Sequence, residues 1–175
     1  MQSKIELGRV AGLRLTAGNS AILGFMGVWA LAFVVALMAL ELPSLEAMIG
    51  GLLCAAIHFA LELAHQLGHA IAARATGWPM TGVHFWLILA LSKYPSDEPE
   101  LPGRVHIRRA LGGPIASLLL SIPLGLLAGA LRPWDATPGW IAAFAFLDCL
   151  LFFGIGALLP LGFTDGSTIL RWWGK

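Results

Sequence analysis

The sequence predicts an all-α membrane protein with about four transmembrane helices and a short re-entrant or β-like segment between spans two and three. Three observations carry that expectation. Of the 175 residues, 58% are hydrophobic and only 12% are charged, whereas soluble domains carry about 25% charged residues. Mean hydropathy is +0.80. Four apolar stretches, at about residues 20–40, 45–76, 110–131 and 140–161, reach the roughly 20 residues that a helix needs to cross a bilayer core.

The elements follow in order. Residues 1–19, punctuated by Gly8, Gly12 and Gly18, are expected to be a short extended or turn-rich segment. Span one, Ser20 to Leu40, has no charge. It is too long for the apolar region of a signal peptide, and no small-residue cleavage site follows it. Pro43 and Ser44 precede span two, and Ser44 with Glu46 suits a helix start. This second helix should run to Thr76 and stop at Gly77-Trp78-Pro79. At 1.5 Å per residue it is on the order of 50 Å long, so it should tilt or project beyond the hydrocarbon on the cytoplasmic side.

Met80 to Tyr94 is apolar but shorter than a span, which fits a re-entrant hairpin or edge strand at the membrane surface. Pro95 to Gly103, with Asp97, Glu98 and Glu100, is expected to be a solvated loop. Span three, Ala110 to Leu131, is uncharged and bracketed by Arg108, Arg109 and Arg132. Span four, Trp140 to Leu161, contains only Asp148. Four spans leave little material for a separate soluble unit, so residues 1–175 are read as one domain.

Net charge is only +1, but its distribution is informative. Lys4, Arg9 and Arg14 precede span one, and five basic residues from Arg74 to Arg109 separate spans two and three. Arg171 and Lys175 follow span four, and Arg132 alone falls on the other side. The positive-inside rule then places both termini in the cytoplasm. The expected partner is the lipid bilayer, with no nucleic acid. Cys54 and Cys149 lie inside spans at no metal or redox spacing and are expected to be small packing residues.

The chemistry concentrates at the cytoplasmic end of span two. His65 and His69 stand one turn apart, within about 40° of each other on the helix face, and can share a metal ion. Such a pair is a weak signal alone. Inside a span, however, ionisable residues are costly and usually functional. Asp165 follows span four, and four spans return it to the same side of the bilayer as His65 and His69. Those three are the candidate ligands of a Zn2+ ion, which in catalytic sites takes three protein ligands and a water.

The motifs around these residues carry a family resemblance. His65-Gln66-Leu67-Gly68-His69-Ala70, followed by Ala73, Arg74 and Gly77, looks like a zinc helix with the pattern His-Glu-x-x-His. Leu158-Leu159-Pro160 through Asp165-Gly166 is similar to a Leu-Leu-Pro…Leu-Asp-Gly segment. Gly113-Pro114-Ile115-Ala116-Ser117 resembles a Gly-Pro-x-x-Asn entry, and Leu7 to Leu13 a short N-terminal segment. Together they resemble the bacterial branch of the site-2 proteases, intramembrane zinc metalloproteases, over nearly the whole chain. The resemblance implies cleavage of membrane-embedded polypeptide near the cytoplasmic face of a bacterial inner membrane, with His65, His69 and Asp165 as zinc ligands.

The pattern breaks at the base. Gln66 stands where the family has glutamate, and an amide orients water but cannot accept its proton. General acid–base catalysis contributes typically about 10²–10⁴-fold, so severe loss of activity is expected. Ser117 and Ala157 stand where the family has asparagine, at positions suited to holding substrate or an oxyanion.

Glu62 and His58 precede Gln66 by one and two turns. Glu62 is a candidate partner orienting His65, a candidate displaced base, or one member of a polar stripe facing the bundle interior. Asp148 is a proton relay or partner for His58, or a hydrogen-bonded structural acid. His84 and His106 are expected at the surface, and most of the seven tryptophans (Trp29, Trp78, Trp86, Trp134, Trp140, Trp172 and Trp173) in interfacial belts.

Three functions compete on these grounds. They are an intramembrane metallopeptidase, a non-catalytic zinc-binding scaffold for a membrane partner, and a small carrier. The last is weakest, since four spans without a repeat offer no obvious pathway.

Overall fold

The computed structural model describes residues 4–132 and 136–175; Trp134 lies outside them. Four helical segments are long and apolar enough to cross a membrane: α1 (Asn19–Met38), α2 (Ser44–Ala75), α3 (Gly103–Ala130), and Thr137–Leu158. The fourth begins as α4 (Thr137–Leu147), continues through π-helical turns at Asp148–Ile155 and ends in a 3-10 turn, Gly156–Leu158. A short helix, α5 (Asp165–Trp172), follows. The third helix starts seven residues before the expected Ala110, because its first two turns are polar and escape a hydropathy reading.

The fold is not all-α. β1 (Lys4–Val10), β2 (Leu13–Gly18), β3 (Gly82–Trp86) and β4 (Leu89–Lys93) form one four-stranded sheet in that order. The N-terminal segment is a hairpin, closed by a two-residue turn in which Ala11 (φ 50°) and Gly12 (φ 83°) both take positive φ, as a type I′ turn requires. The segment between spans two and three is a second hairpin. Parallel pairing joins the two, with Arg14–Ala17 of β2 opposite Gly82–Phe85 of β3. No local pattern announces a contact between residues so far apart in the chain.

Leu13, Leu15, Ala17, Val83 and Phe85 bury one face of the sheet against Ala70 and Ala73 of α2, flanked by Phe59, Leu63 and Leu67. Deeper in the bundle, Ala32, Ala36, Ala47, Cys54 and Trp140 lock α1, α2 and α4 together. Cys149 packs with Leu61 and Phe153. Both cysteines are buried and fill space, as their positions suggested.

α2 and α3 touch backbone to backbone. A Cβ on Gly68 would lie 2.4 Å from the Gly112 carbonyl oxygen, and one on Gly112 would lie 2.5 Å from that of Gly68. Small residues at a helix crossing are the usual device for close packing in an apolar medium. Here that crossing sits one residue before His69 and one before Gly113, so it sets the spacing of the site itself.

Candidate metal centre

The three candidate ligands converge. His65 Nε2 and His69 Nε2 are 3.0 Å apart, and the Asp165 carboxylate reaches them at 3.2 and 3.3 Å respectively. Both histidines are buried and Asp165 is half-buried. Asp165 arrives because the fourth span ends at Leu158 and the chain doubles back before opening α5. That loop is tied by its own side chains. Gly162 N–H donates to Ser167 Oγ at 2.6 Å, and Thr164 Oγ1 bonds both the Leu159 carbonyl and Ser167 Oγ.

The chemistry of the donors fits a divalent cation. His69 Nδ1 lies 2.8 Å from the Arg109 carbonyl oxygen, which only accepts, so the ring proton is assigned to Nδ1 and the Nε2 lone pair faces inward. It faces a carboxylate that also only accepts. A tetrahedral zinc with bonds of about 2.0–2.1 Å would hold its ligand atoms roughly 3.3 Å apart, close to the observed separations. Room for an ion is left by Gly113, where a Cβ would lie 2.4 Å from His69 Nε2 and 2.5 Å from His65 Nε2.

Each histidine is oriented from α3. Ser117 Oγ meets His65 Nδ1 at 3.0 Å and is itself buried, so Ser117 is the partner of a candidate ligand and is not open to substrate. Glu62 does not bond His65. The partner expected from α2 is supplied by α3 instead, because the Nδ1 atoms turn away from their own helix.

Arg109 is the residue the sequence undervalued. Its carbonyl holds His69, while its guanidinium pairs with both Glu98 carboxylate oxygens at 2.5 and 2.9 Å. It also donates to the Trp78 carbonyl at 2.6 Å and lies 4.1 Å over the Tyr94 ring. Glu98 is therefore turned inward from a loop expected to be wholly solvated. The Arg109 guanidinium holds its carboxyl below the ordinary range, against the opposing effect of burial. Burial pushes the Tyr94 hydroxyl up. A cavity of about 220 Å³ opens beside the ligands, lined by His69, Ser92, Tyr94, Glu98, Arg109 and Asp165 among others.

His84 and His106 are half-buried, contrary to the surface expectation. His84 Nδ1 meets Thr16 Oγ1 at 2.9 Å. His106 stacks on Trp172 at 4.1 Å between centroids, bracing α3 on α5. Trp140 is likewise a core residue and no part of an interfacial belt.

The polar stripe of α2 makes a ladder with β4. His58 Nε2 donates to the Ile88 carbonyl at 2.9 Å. Glu62 Oε1 accepts from Ala90 N–H at 2.8 Å. Gln66 Nε2 donates to the Ala90 carbonyl and to Glu62 Oε1, both at 3.0 Å, and Gln66 Oε1 accepts from Ser92 Oγ at 2.8 Å. The spacing explains the match. One helical turn rises about 5.4 Å, or 6 Å over four residues, and two strand residues rise about 6.6–6.8 Å. Asp148, at the start of the π-helical turns, completes the stripe by meeting His58 Nδ1 at 2.9 Å. The partnership weighed for Asp148 is thus present.

No protein-family model matches the chain. A curated protein of Mycobacterium tuberculosis, named "Putative zinc metalloprotease Rip3" in two strains, is 30% identical over 174 residues. That match takes in 98% of this chain but 44% of the relative, so the chain spans less than half the length of the curated relatives it matches. The solved site-2 protease from Methanocaldococcus jannaschii superposes with a TM-score of 0.66, covering 97% of this chain and 70% of the other at 16% identity. The chain has the fold of a site-2 protease. Within the site-2 protease fold, the departures read in the sequence gain locations. Gln66 faces β4, Ser117 faces His65, and Ala157 lies in the 3-10 turn that ends the fourth span.

Proposed function

We propose that this chain is an intramembrane metallopeptidase-type scaffold that holds Zn2+ through His65 and His69 Nε2 and the Asp165 carboxylate. Its ligand is a membrane-embedded polypeptide segment, met at the cytoplasmic face of a bacterial inner membrane with both chain termini inside. The observation that carries this is the convergence of three inward-facing acceptors on a space kept open by Gly113. A zinc ion held there would lower the pKa of its water toward about 7 and polarise a peptide carbonyl. Ser117 and the Arg109 carbonyl keep the imidazoles in the ligating orientation. Gln66 supplies no proton acceptor, so hydrolysis is slow.

A second reading, a non-catalytic scaffold that binds a membrane partner, draws support from the Gln66 amide. Both of its amide hydrogens and its oxygen are engaged by Glu62, Ala90 and Ser92, which leaves little of it for orienting water. The displaced-base idea for Glu62 loses ground for the same reason, since that carboxylate is held by Ala90 and Gln66.

Metal analysis of the purified chain, followed by incubation with a membrane-embedded peptide, tests both readings. Stoichiometric zinc with slow, chelator-sensitive cleavage supports the peptidase. Zinc with binding but no cleavage supports the scaffold, and absence of zinc at neutral pH overturns both.

A further inference from the structure

Gln66 and Glu62 are adjacent rungs of the α2 ladder and share one hydrogen bond. The Gln66 amide nitrogen lies 3.0 Å from Glu62 Oε1 and 3.0 Å from the Ala90 carbonyl oxygen. Both neighbours only accept, so whatever occupies that atom must donate twice. Glu62 Oε1 in turn is fixed by Ala90 N–H at 2.8 Å. Both side chains are buried, at 2% and 3% exposure, where an unmatched pair of acceptors finds no water to separate it.

We infer that Glu62 makes an amide obligatory at position 66, so that the base position can be restored only by changing both residues together. This rests on the metallopeptidase reading of the site. Glu62 is on this account a positioning residue. It holds β4 through Ala90 and dictates which chemical group its neighbour one turn on can carry.

The argument is one of complementarity. An acid in place of Gln66 would bring at most one shared proton to the two contacts, with Glu62 Oε1 and with the Ala90 carbonyl, that the amide fills with two. Two carboxylates about 3 Å apart in a buried site do not both persist as anions. They would share one proton, so the acid, held against Glu62, has none left for the Ala90 carbonyl, and that tie of the strap between α2 and β4 is lost. With Glu62→Gln present as well, the donor moves one turn back. The amide at 62 can still accept from Ala90 N–H while donating to the acid, which then needs no shared proton, although the Ala90 carbonyl still lacks its side-chain donor.

The test compares the full zinc-loaded chain with Glu62→Gln, Gln66→Glu and the double variant in lipid nanodiscs. Two readouts are taken: hydrogen exchange of residues 88–93 and cleavage of a membrane-embedded peptide. Gln66→Glu alone should raise exchange at Ala90 about tenfold or more, and the double variant should return it most of the way to the parent level. Cleavage by the double variant should exceed that of Gln66→Glu by on the order of a hundredfold, the range of a restored general base. Should Gln66→Glu fail to fold while the double variant folds, the pairing is supported directly. Parent-like protection of β4 in Gln66→Glu, or equal cleavage by that variant and the double, would overturn the inference. If β4 protection follows the expected order but no zinc-loaded variant cleaves, the pairing stands and the peptidase reading fails.

Discussion

His69 donates its Nδ1 proton to the backbone carbonyl of Arg109 at 2.8 Å, across the crossing of α2 and α3. The partner is a main-chain atom, so the orientation of this ligand depends on helix spacing and on no side chain. His65 is held differently, by the hydroxyl of Ser117 at 3.0 Å. The two candidate ligands thus differ in what can be mutated away.

Ser117→Ala should therefore weaken the site without dismantling it. Partners that orient metal-bound histidines typically contribute about 10–100-fold in metal affinity. We expect a loss of that order in zinc affinity, measured by competition with a chromogenic chelator, and an unchanged fold by circular dichroism.

Gly113→Ala should act more severely. The added methyl would lie 2.4 and 2.5 Å from the two Nε2 atoms, well inside contact distance, and would occupy the space meant for the ion. Zinc content by elemental analysis should drop from about one per chain, the occupancy of a three-ligand site, to near zero. Retention of full zinc by Gly113→Ala would show that the ion binds elsewhere.

The buried His58–Asp148 pair should behave as a unit. The two side chains are only 4% and 10% exposed. Removing one partner of such a pair costs about 3–5 kcal/mol, whereas replacing both with apolar residues is often neutral. His58→Leu should lower the midpoint of unfolding in detergent titration. The double variant with Asp148→Leu should recover much of that loss, and simple additivity would argue against coupling.

Acid should release the Pro95–Gly103 loop. Arg109 holds the Glu98 carboxyl below its ordinary value of 4.5, the direction expected for a paired carboxylate. A depressed folded-state pKa gives stability that is present above the ordinary value and lost as pH falls through the folded one. Proteolytic nicking of the loop should rise as the pH falls below that ordinary value and through the depressed one. In Glu98→Gln the nicking should be higher at neutral pH and nearly independent of pH in this window.

Much of the site was legible in the sequence because it obeys two simple rules. Helical periodicity put His65 and His69 on one face, and the expected parity of four spans returned Asp165 to their side. The four long apolar helices followed from hydropathy, with the largest boundary shift where Arg104, Arg108 and Arg109 open α3 on polar turns. The sheet was half legible, because its β2–β3 pairing joins segments separated by two long helices. Partners for Gln66 and His69 lay beyond reach for another reason. They depend on which way a side chain leaves its helix, and Ala90 and the Arg109 carbonyl offer backbone atoms that carry no residue identity.

The match between α2 and β4 also fixes what the hairpin can tolerate. Because alternate strand residues turn their backbone groups to opposite sides, a one-residue insertion between Leu87 and Ala90 would point the Ala90 amide and carbonyl toward β3. His58, Glu62 and Gln66 would then face the wrong edge together. The helix acts as a ruler for the strand, and length variation in this protein should be found in its other connections and not at this turn.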